Sequence, residues 1–178
     1  TITDLGTGSD ILVVSSGATA NATNVSSFTA TSATRNSGTA TINSVAGGST
    51  VDMSSSGLGG FTLAGNAGVD NLTGGSNNDI ITGAGGNDII IGGAGNDSIT
   101  GGANNDSLTG SAGNDTFNVD SGTDTITDLG TDNDVLVVSS GATANATNIS
   151  SFTATSGTSN SGTATLTAAS GGGTINMA

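Results

Sequence analysis

The chain lacks most of the side chains that enzymes and metal-thiolate or disulfide-rich proteins use. Its 178 residues include no cysteine, histidine, tryptophan, tyrosine or proline, and Arg35 is the only cation. Without cysteine there is no disulfide, and without cysteine or histidine we expect no zinc site. Serine and threonine are abundant, but no histidine, lysine, cysteine or glutamate is present to activate a hydroxyl. We therefore do not expect an enzyme.

Positive charge is almost absent, while negative charge is plentiful and of one kind. The formal net charge is −13, and all 14 acidic residues are aspartate. A chain with a single cation has no basic patch, so nucleic acid and anionic membranes are not expected partners. No apolar run approaches the length that crosses a membrane, so we expect no membrane insertion.

What the chain does contain is an aspartate at every ninth position through its centre. Each of these aspartates follows a turn rich in Gly and Asn, and a large apolar residue U stands two positions after it. The rule is G-G-x-G-N-D-x-U-x. The aspartates are Asp70, Asp79, Asp88, Asp97, Asp106, Asp115 and Asp124, and the U residues are Leu72, Ile81, Ile90, Ile99, Leu108, Phe117 and Ile126.

Seven consecutive registers make residues 65–127 similar to the RTX (hemolysin-type) calcium-binding nonapeptide repeat. The resemblance implies an all-β fold, a calcium-bound parallel β-roll. A six-residue turn and a three-residue strand form half a coil, and two such units form a coil of about 18 residues. Side chains alternate along a strand, so U points inward. The alternative, a flexible Gly-rich linker, does not require an apolar residue at a fixed position.

Successive loops of such a roll fall on opposite edges, so the aspartates stack in two columns. Like charges one coil apart, about 4.8 Å, repel each other unless a cation lies between them. Calcium takes six to eight oxygen ligands, and Gly-rich turns expose backbone carbonyls beside the carboxylates. Three gaps on one edge and two on the other predict about five calcium ions. Seven U residues are a small core, so we expect folding to require calcium.

The turn residues have their own interpretations. We expect glycine at loop positions one, two and four to adopt positive φ, with Asn77 and Asn104 replacing it at position four. Asn at position five also suggests a turn preference. Some RTX adhesins that bind ice carry Thr at position three, which no repeat has here. Ile89 and Ile91 point outward beside Ile90 and suggest a contact face.

The segments on either side of the centre are copies of one another. Residues 1–54 align with residues 125–178 at an offset of 124, with 39 of 54 positions identical. We divide the chain into residues 1–64, a Ser/Thr/Ala-rich segment, 65–127, the RTX roll, and 128–178, the second copy. Residues 10–15 read as a strand buried on both faces, and residues 27–31 and 38–42 as alternating strands. Less regular β-solenoid rungs are the first interpretation of the copies, and a β-sandwich is the alternative.

Asp10 and Asp134 each end the tail of a roll after a ten-residue step, and they are candidates for capping metal sites. The whole pattern predicts a calcium-stabilised structural segment of a large secreted repeat protein, in a fibre, surface layer or adhesin stalk. The resemblance implies type I secretion and an extracellular or bacterial cell-surface location. We expect self-association or end-to-end contact between neighbouring repeats, with a possible cell-surface or matrix partner. The alternative is the C-terminal folding and secretion module of an exported enzyme or toxin.

Overall fold

The molecule is a parallel β-solenoid. The computed structural model describes residues 1–3, 5, 6 and 10–177, and every regular element in this part of the chain is a strand. All strand pairs run parallel. None of the described segments forms a helix that could span a membrane. The predicted all-β roll and solenoid fold is confirmed.

Twenty short strands build the coils. The first segment contains β1 Val13–Val14, β2 Thr19–Val25, β3 Ser27–Thr29, β4 Arg35–Asn36, β5 Thr39–Ser44 and β6 Thr50–Asp52. The centre contains β7 Thr62–Ala64, β8 Asn71–Thr73, β9 Ile80–Gly85, β10 Ile89–Ala94, β11 Ser98–Ala103, β12 Ser107–Ala112, β13 Thr116–Val119 and β14 Thr123–Ile126. The last segment contains β15 Val135–Val138, β16 Thr143–Ile149, β17 Ser151–Thr153, β18 Ser159–Asn160, β19 Thr163–Ala168 and β20 Thr174–Asn176.

Two eight-stranded sheets run the length of the solenoid and enclose one core. Sheet one is formed by β2, β5, β7, β9, β11, β13, β15 and β18, and sheet two by β3, β6, β8, β10, β12, β14, β16 and β19. Alternation along each strand turns the U side chains inward. All seven are at most 1% exposed, and they join one buried cluster with the apolar residues of both flanking segments. β6 pairs with β8 and β14 with β16, so the sheets continue from each flanking segment into the roll.

The roll and the flanking segments differ in the number of residues per coil. Within the roll each strand pairs with the strand 18 residues further on, as Ile81 does with Ile99. In the first segment Phe28 pairs with Val51, 23 residues on, because the chain adds a third strand to each coil. These third strands form two separate pairs, β1 with β4 and β17 with β20. The flanking segments are therefore solenoid rungs, as the first interpretation predicted, and the β-sandwich alternative is wrong.

Equivalent strands of the two copies do not lie on the same sheet. β2 belongs to sheet one, but its equivalent at the offset of 124, β16, belongs to sheet two. In the first copy, the second and third strands of the coil, β5 and β6, pair with the first strands of the roll. In the second copy, the first and second strands of the coil, β15 and β16, pair with the last strands of the roll. The second copy is thus turned about the solenoid axis relative to the first.

Residues 10–15 differ from the prediction. Leu12 and Val14 are buried, but Ile11 is 56% exposed and Val13 62% exposed. A solenoid wall is one sheet thick, so a strand in it buries only alternate side chains, and a run of apolar residues must expose half of them. The predicted alternating strands are confirmed, as β3 and β5.

Candidate metal centre

The seven registered aspartates form two ladders, one on each edge of the roll. Edge one carries loops 65–70, 83–88, 101–106 and 119–124, and edge two carries loops 74–79, 92–97, 110–115 and 128–134. In five of the seven aspartates, the Oδ1 atom accepts a hydrogen bond from the backbone N–H of the aspartate 18 residues earlier. The N–O distances are 2.8 Å for Asp70–Asp88, 2.8 Å for Asp88–Asp106, 3.1 Å for Asp106–Asp124, 2.7 Å for Asp79–Asp97 and 2.8 Å for Asp97–Asp115.

The ladder on edge two extends beyond the nonapeptide pattern at both ends. Asp134 Oδ1 accepts a hydrogen bond from the N–H of Asp115 at 3.0 Å, and Asp79 Oδ1 accepts one from the N–H of Phe61 at 2.6 Å. The structure thus places Asp134 in the ladder, one coil above Asp115. Asp10, its equivalent in the first copy, is half-buried, and its Oδ2 accepts the N–H of Gly6 at 2.7 Å. Metal binding by these two residues stays a prediction.

Several carboxylate oxygens of the ladder are buried without a hydrogen-bond partner. Within the described chain, five such atoms are buried and accept no hydrogen bond: Asp70 Oδ1 and the Oδ2 atoms of Asp88, Asp97, Asp106 and Asp124. Leaving a buried charged oxygen unpaired costs free energy, because the solvation it loses is not replaced. The ladder requires either protons or cations at these oxygens.

Glycine at loop position one leaves open the space that these oxygens face. A side chain at Gly83 would collide with Asp88 Oδ2 and with the carbonyl oxygen of Gly101, one coil further on. The same holds for Gly92, with Asp97 Oδ2 and the Gly110 carbonyl. Carboxylate and carbonyl oxygens from adjacent coils therefore face the same space, and this is the hard-oxygen ligand set that calcium prefers.

The reason for glycine at position one differs from the prediction. No position-one glycine has positive φ, whereas position four does in six of the seven loops: Gly68, Gly86, Gly95, Asn104, Gly113 and Gly122. Asn104 replaces glycine there with φ 81°, as predicted, but Asn77 does not adopt positive φ. Position one needs glycine for space, and position four needs it for backbone conformation.

Burial changes the acidity of the ladder. Desolvation raises the pKa of Asp97 and of Asp124 to about 7, and that of Asp88 and of Asp115 to about 6. The N–H donated to each carboxylate lowers the pKa by a smaller amount, and neighbouring aspartates on the same edge raise it further. Burial also raises the pKa of Asp79, Asp106 and Asp134. Near neutral pH the carboxyls of Asp97 and Asp124 would be partly protonated in the absence of a cation.

Carboxylates alone do not complete a site. In the described part of the chain, no three acidic side chains cluster closely enough to hold a metal ion among themselves. Any ion in the ladder must therefore draw on backbone carbonyls of the Gly-rich turns, as the sequence predicted. The structure brings all seven registered aspartates to the two edges beside these carbonyls, and it places Asp10 apart from the roll, in the first copy.

A second ladder, of asparagine, was missed by the sequence interpretation. Asn96 N–H donates to Asn78 Oδ1 at 2.8 Å, Asn114 N–H to Asn96 Oδ1 at 2.9 Å, and Asn133 N–H to Asn114 Oδ1 at 3.0 Å. Edge one has the same contact, from Asn105 to Asn87 at 3.1 Å. These residues do not have positive φ, so the preference at position five is for a side-chain acceptor and not for a turn conformation. The recurrence of Asn every nine residues was the available signal.

Comparison with known proteins agrees with this geometry. The family model of the RTX calcium-binding nonapeptide repeat, which spans four copies, matches residues 64–99 and again residues 91–126. A search of curated proteins and a search of solved structures found no match to the chain. The family match covers the same residues that carry the two aspartate ladders.

Proposed function

Because residues 64–126 are RTX calcium-binding nonapeptide repeats, we propose that this chain is a calcium-stabilised structural segment of a large secreted repeat protein. Repeats of this family bind calcium, and proteins that carry them are typically secreted by bacteria. We place the segment in an extracellular fibre, surface layer or adhesin stalk. The observation that carries the proposal is the continuity of the two sheets from the first copy, through the roll, into the second copy.

Calcium would supply the positive charge that the buried carboxylates of the ladder lack. Ions between same-edge loops would satisfy the unpaired carboxylate oxygens and remove the repulsion between coils. The ligands on this proposal are the aspartates from Asp70 to Asp124 in register, together with carbonyls of the preceding turns. With Asp134 in the ladder, edge two has three gaps, as edge one does. The sequence alone predicted two for that edge.

End-to-end contact with further coils follows from an internal comparison. In the first copy Ile42 and Val51 are each 1% exposed, because Leu63 and Leu72 pair above them. Their equivalents in the second copy, Leu166 and Ile175, are only partly buried. The apolar end formed by β19 and β20 is thus similar to the surface of the first copy on which the first coil of the roll packs. We propose that a coil of this type, from a neighbouring repeat, packs there.

The structural role is favoured over a secretion module because the roll lies between two solenoid copies that continue its sheets. A module that only assists folding and export of an attached enzyme requires one roll and no flanking copies. Lateral partners, on a cell surface or in a matrix, would contact the outward faces. Those faces carry mostly Ser, Thr and Asn, with Ile80 and Ile89 exposed by 56% and 48%.

The calcium proposal is tested by removing the ion. In the metal-stripped full chain at pH 7.5 we expect circular dichroism to show loss of most of the β signal, and millimolar calcium to restore it. Magnesium at the same concentration is the control, because it demands a tighter octahedral site and dehydrates reluctantly. A stripped protein with an unchanged spectrum would contradict calcium as a folding ligand.

A further inference from the structure

The only cationic side chain of the molecule, Arg35, lies in an outward column between two exposed apolar residues. Arg35 on β4 pairs with Val13 on β1, one coil earlier, and with Leu58, one coil later. Val13 and Leu58 are each 62% exposed, and Ile11, which lies on the same outward side as Val13, is 56% exposed. Arg35 is itself exposed. These four residues are called the cation patch below.

Arg35 has no ion pair within the part of the chain that the structure describes. At the equivalent position of the second copy the residue is Ser159, so the solenoid coil itself does not require a cation there. Contiguous exposed apolar area marks an interaction surface, and the charge within it indicates what fits. In a molecule of net charge −13, a single cation among apolar side chains suits an acidic surface that also carries apolar residues.

The chain carries such a surface on edge one. Val69 in loop 65–70 is 56% exposed, and Ile89, which begins β10, is 48% exposed. Ile89 pairs with the residue two places after Val69, so the two side chains lie in adjacent coils. Asp120, in loop 119–124 of the same edge, is exposed, whereas the registered aspartates of edge one are at most 3% exposed. Val69, Ile89 and Asp120 are called the edge-one surface below.

Asp120 has a carboxylate oxygen available for a partner. Its Oδ1 accepts a hydrogen bond from the N–H of Gly102 at 3.1 Å, and this contact holds the carboxylate on loop 101–106. No described residue donates a hydrogen bond to its Oδ2. A guanidinium can therefore bind this oxygen without breaking an existing contact.

The cation patch and the edge-one surface face opposite sides of the solenoid. In the roll the chain passes from sheet one to sheet two through edge one and returns through edge two, as the order of β9, β10 and β11 shows. β4 follows β3 of sheet two and precedes β5 of sheet one, so the cation patch lies on the side of edge two. A contact between the two surfaces in different molecules is heterologous and leaves one surface free on each, so it extends to further copies.

We propose that the cation patch binds the edge-one surface of a second copy of this chain, with the Arg35 guanidinium on the Asp120 carboxylate and the apolar side chains packed beside that pair. The inference rests on the structural role proposed above and names its lateral partner. Val13 and Leu58 lie two coils apart, and so do Ile89 and the loop of Asp120, about 9.6 Å in each case. One such contact is small and weak, and it becomes strong when many copies in two long repeat proteins engage together.

The test is a charge exchange between the two surfaces in the full chain. Arg35→Asp and Asp120→Arg each place like charges opposite one another, and the double variant restores an opposite pair. The matched control combines Arg35→Asp with Asp132→Arg, because Asp132 is also exposed and also accepts one backbone N–H at 3.1 Å, from Gly113, but lies on edge two. Both double variants keep the net charge of the wild type. Self-association is measured by sedimentation velocity in millimolar calcium, and circular dichroism verifies folding.

We expect the folded wild type to associate at low salt and to dissociate in about 0.5 M NaCl, since screening weakens exposed ion pairs. Arg35→Asp and Asp120→Arg should each weaken association roughly tenfold. The loss in Asp120→Arg cannot come from net charge, because that variant is less acidic than the wild type. Arg35→Asp with Asp120→Arg should associate like the wild type, and Arg35→Asp with Asp132→Arg should not.

A folded wild type that stays monomeric would overturn the inference. An association that Arg35→Asp leaves unchanged would also overturn it and would assign the contact to the ends of the solenoid. Equal association of the two double variants would exclude Asp120 as the partner of Arg35, with the same consequence. If the wild type does not fold with calcium, the proposed function has failed, and circular dichroism distinguishes that result from a loss of association.

Discussion

Glycine occupies loop position one in six of the seven repeats, because the neighbouring coil and the aspartate of the same loop leave no room there for a side chain. The contrast with position four shows that two glycines in one turn can serve different physical needs. One keeps a space lined by oxygens open, and the other adopts a backbone conformation that side chains disfavour. Asparagine is accepted at the second kind of position, as at Asn104, and is absent from the first kind in the seven repeats.

Gly83→Ala should therefore damage calcium binding as well as stability. The added methyl group would enter the space between Asp88 Oδ2 and the Gly101 carbonyl, displacing an ion or forcing the coils apart. We expect a loss of about 1–3 kcal/mol in the free energy of unfolding at saturating calcium. One ion should also be lost from the calorimetric stoichiometry.

Gly47→Ala is the control for this substitution. A Cβ at Gly47 would meet nothing within 4 Å, and the residue is not among those with positive φ. Both variants make the same change to the unfolded chain. Equal stability and equal calcium stoichiometry in the two variants would show that the space beside Gly83 is not a ligand site.

At the scale of the loops and strands, the aspartate ladder couples calcium binding to pH. The unfolded carboxyls titrate near 3.8, while burial raises the folded pKa of Asp97 and of Asp124 to about 7. A raised folded pKa gives stability that is fully present below the unfolded pKa and is lost as pH rises through the folded one. Protons can therefore partly replace calcium in the ladder.

In metal-stripped protein we expect β structure to increase as the pH is lowered from 7.5 to 5. In calcium-loaded protein the same change should release ions, because protons compete for the carboxylates. Circular dichroism of the stripped sample and a calcium-selective electrode in the loaded sample would measure the two effects. Stripped protein that loses β signal steadily over this range would show that the buried carboxyls do not control folding.

The parts of the fold that could be predicted from sequence are those with a fixed period. The nine-residue spacing placed the inward residues such as Ile99, the outward neighbours and the two columns of aspartates, because one strand geometry repeats without interruption. The pairing of β1 with β4 and of β17 with β20 as third strands could not be predicted, since the flanking segments have no fixed coil length. The hydrogen bond that Asp120 Oδ1 accepts from the N–H of Gly102 was also beyond prediction, because it depends on which residue lies one coil away.

At the scale of the whole molecule, the two copies pair with the roll through different strands, although their sequences are close. Coils of 18 residues in the roll and up to 23 in the flanks set how far the chain advances between one copy and the next. Six successive strand pairings on sheet one lead from Ala22 to Leu136. The strand equivalent to β2 in the second copy, β16, comes next in the chain and lies on sheet two. The offset of 124 residues therefore corresponds to six coils and part of a seventh.

A fibre built from such copies should have a screw axis and not a simple translation. With strands about 4.8 Å apart, each copy should rise about 30 Å, and it should also rotate by the angle between one sheet and the next. The rotation carries the calcium edges around the fibre, so that no side accumulates an unbroken column of aspartates. Cryo-electron microscopy of the native assembly, or of a chain with several concatenated copies, would measure rise and rotation directly. Successive rolls that superimpose by translation alone would contradict this arrangement, because β2 and β16 would then have to lie on the same sheet.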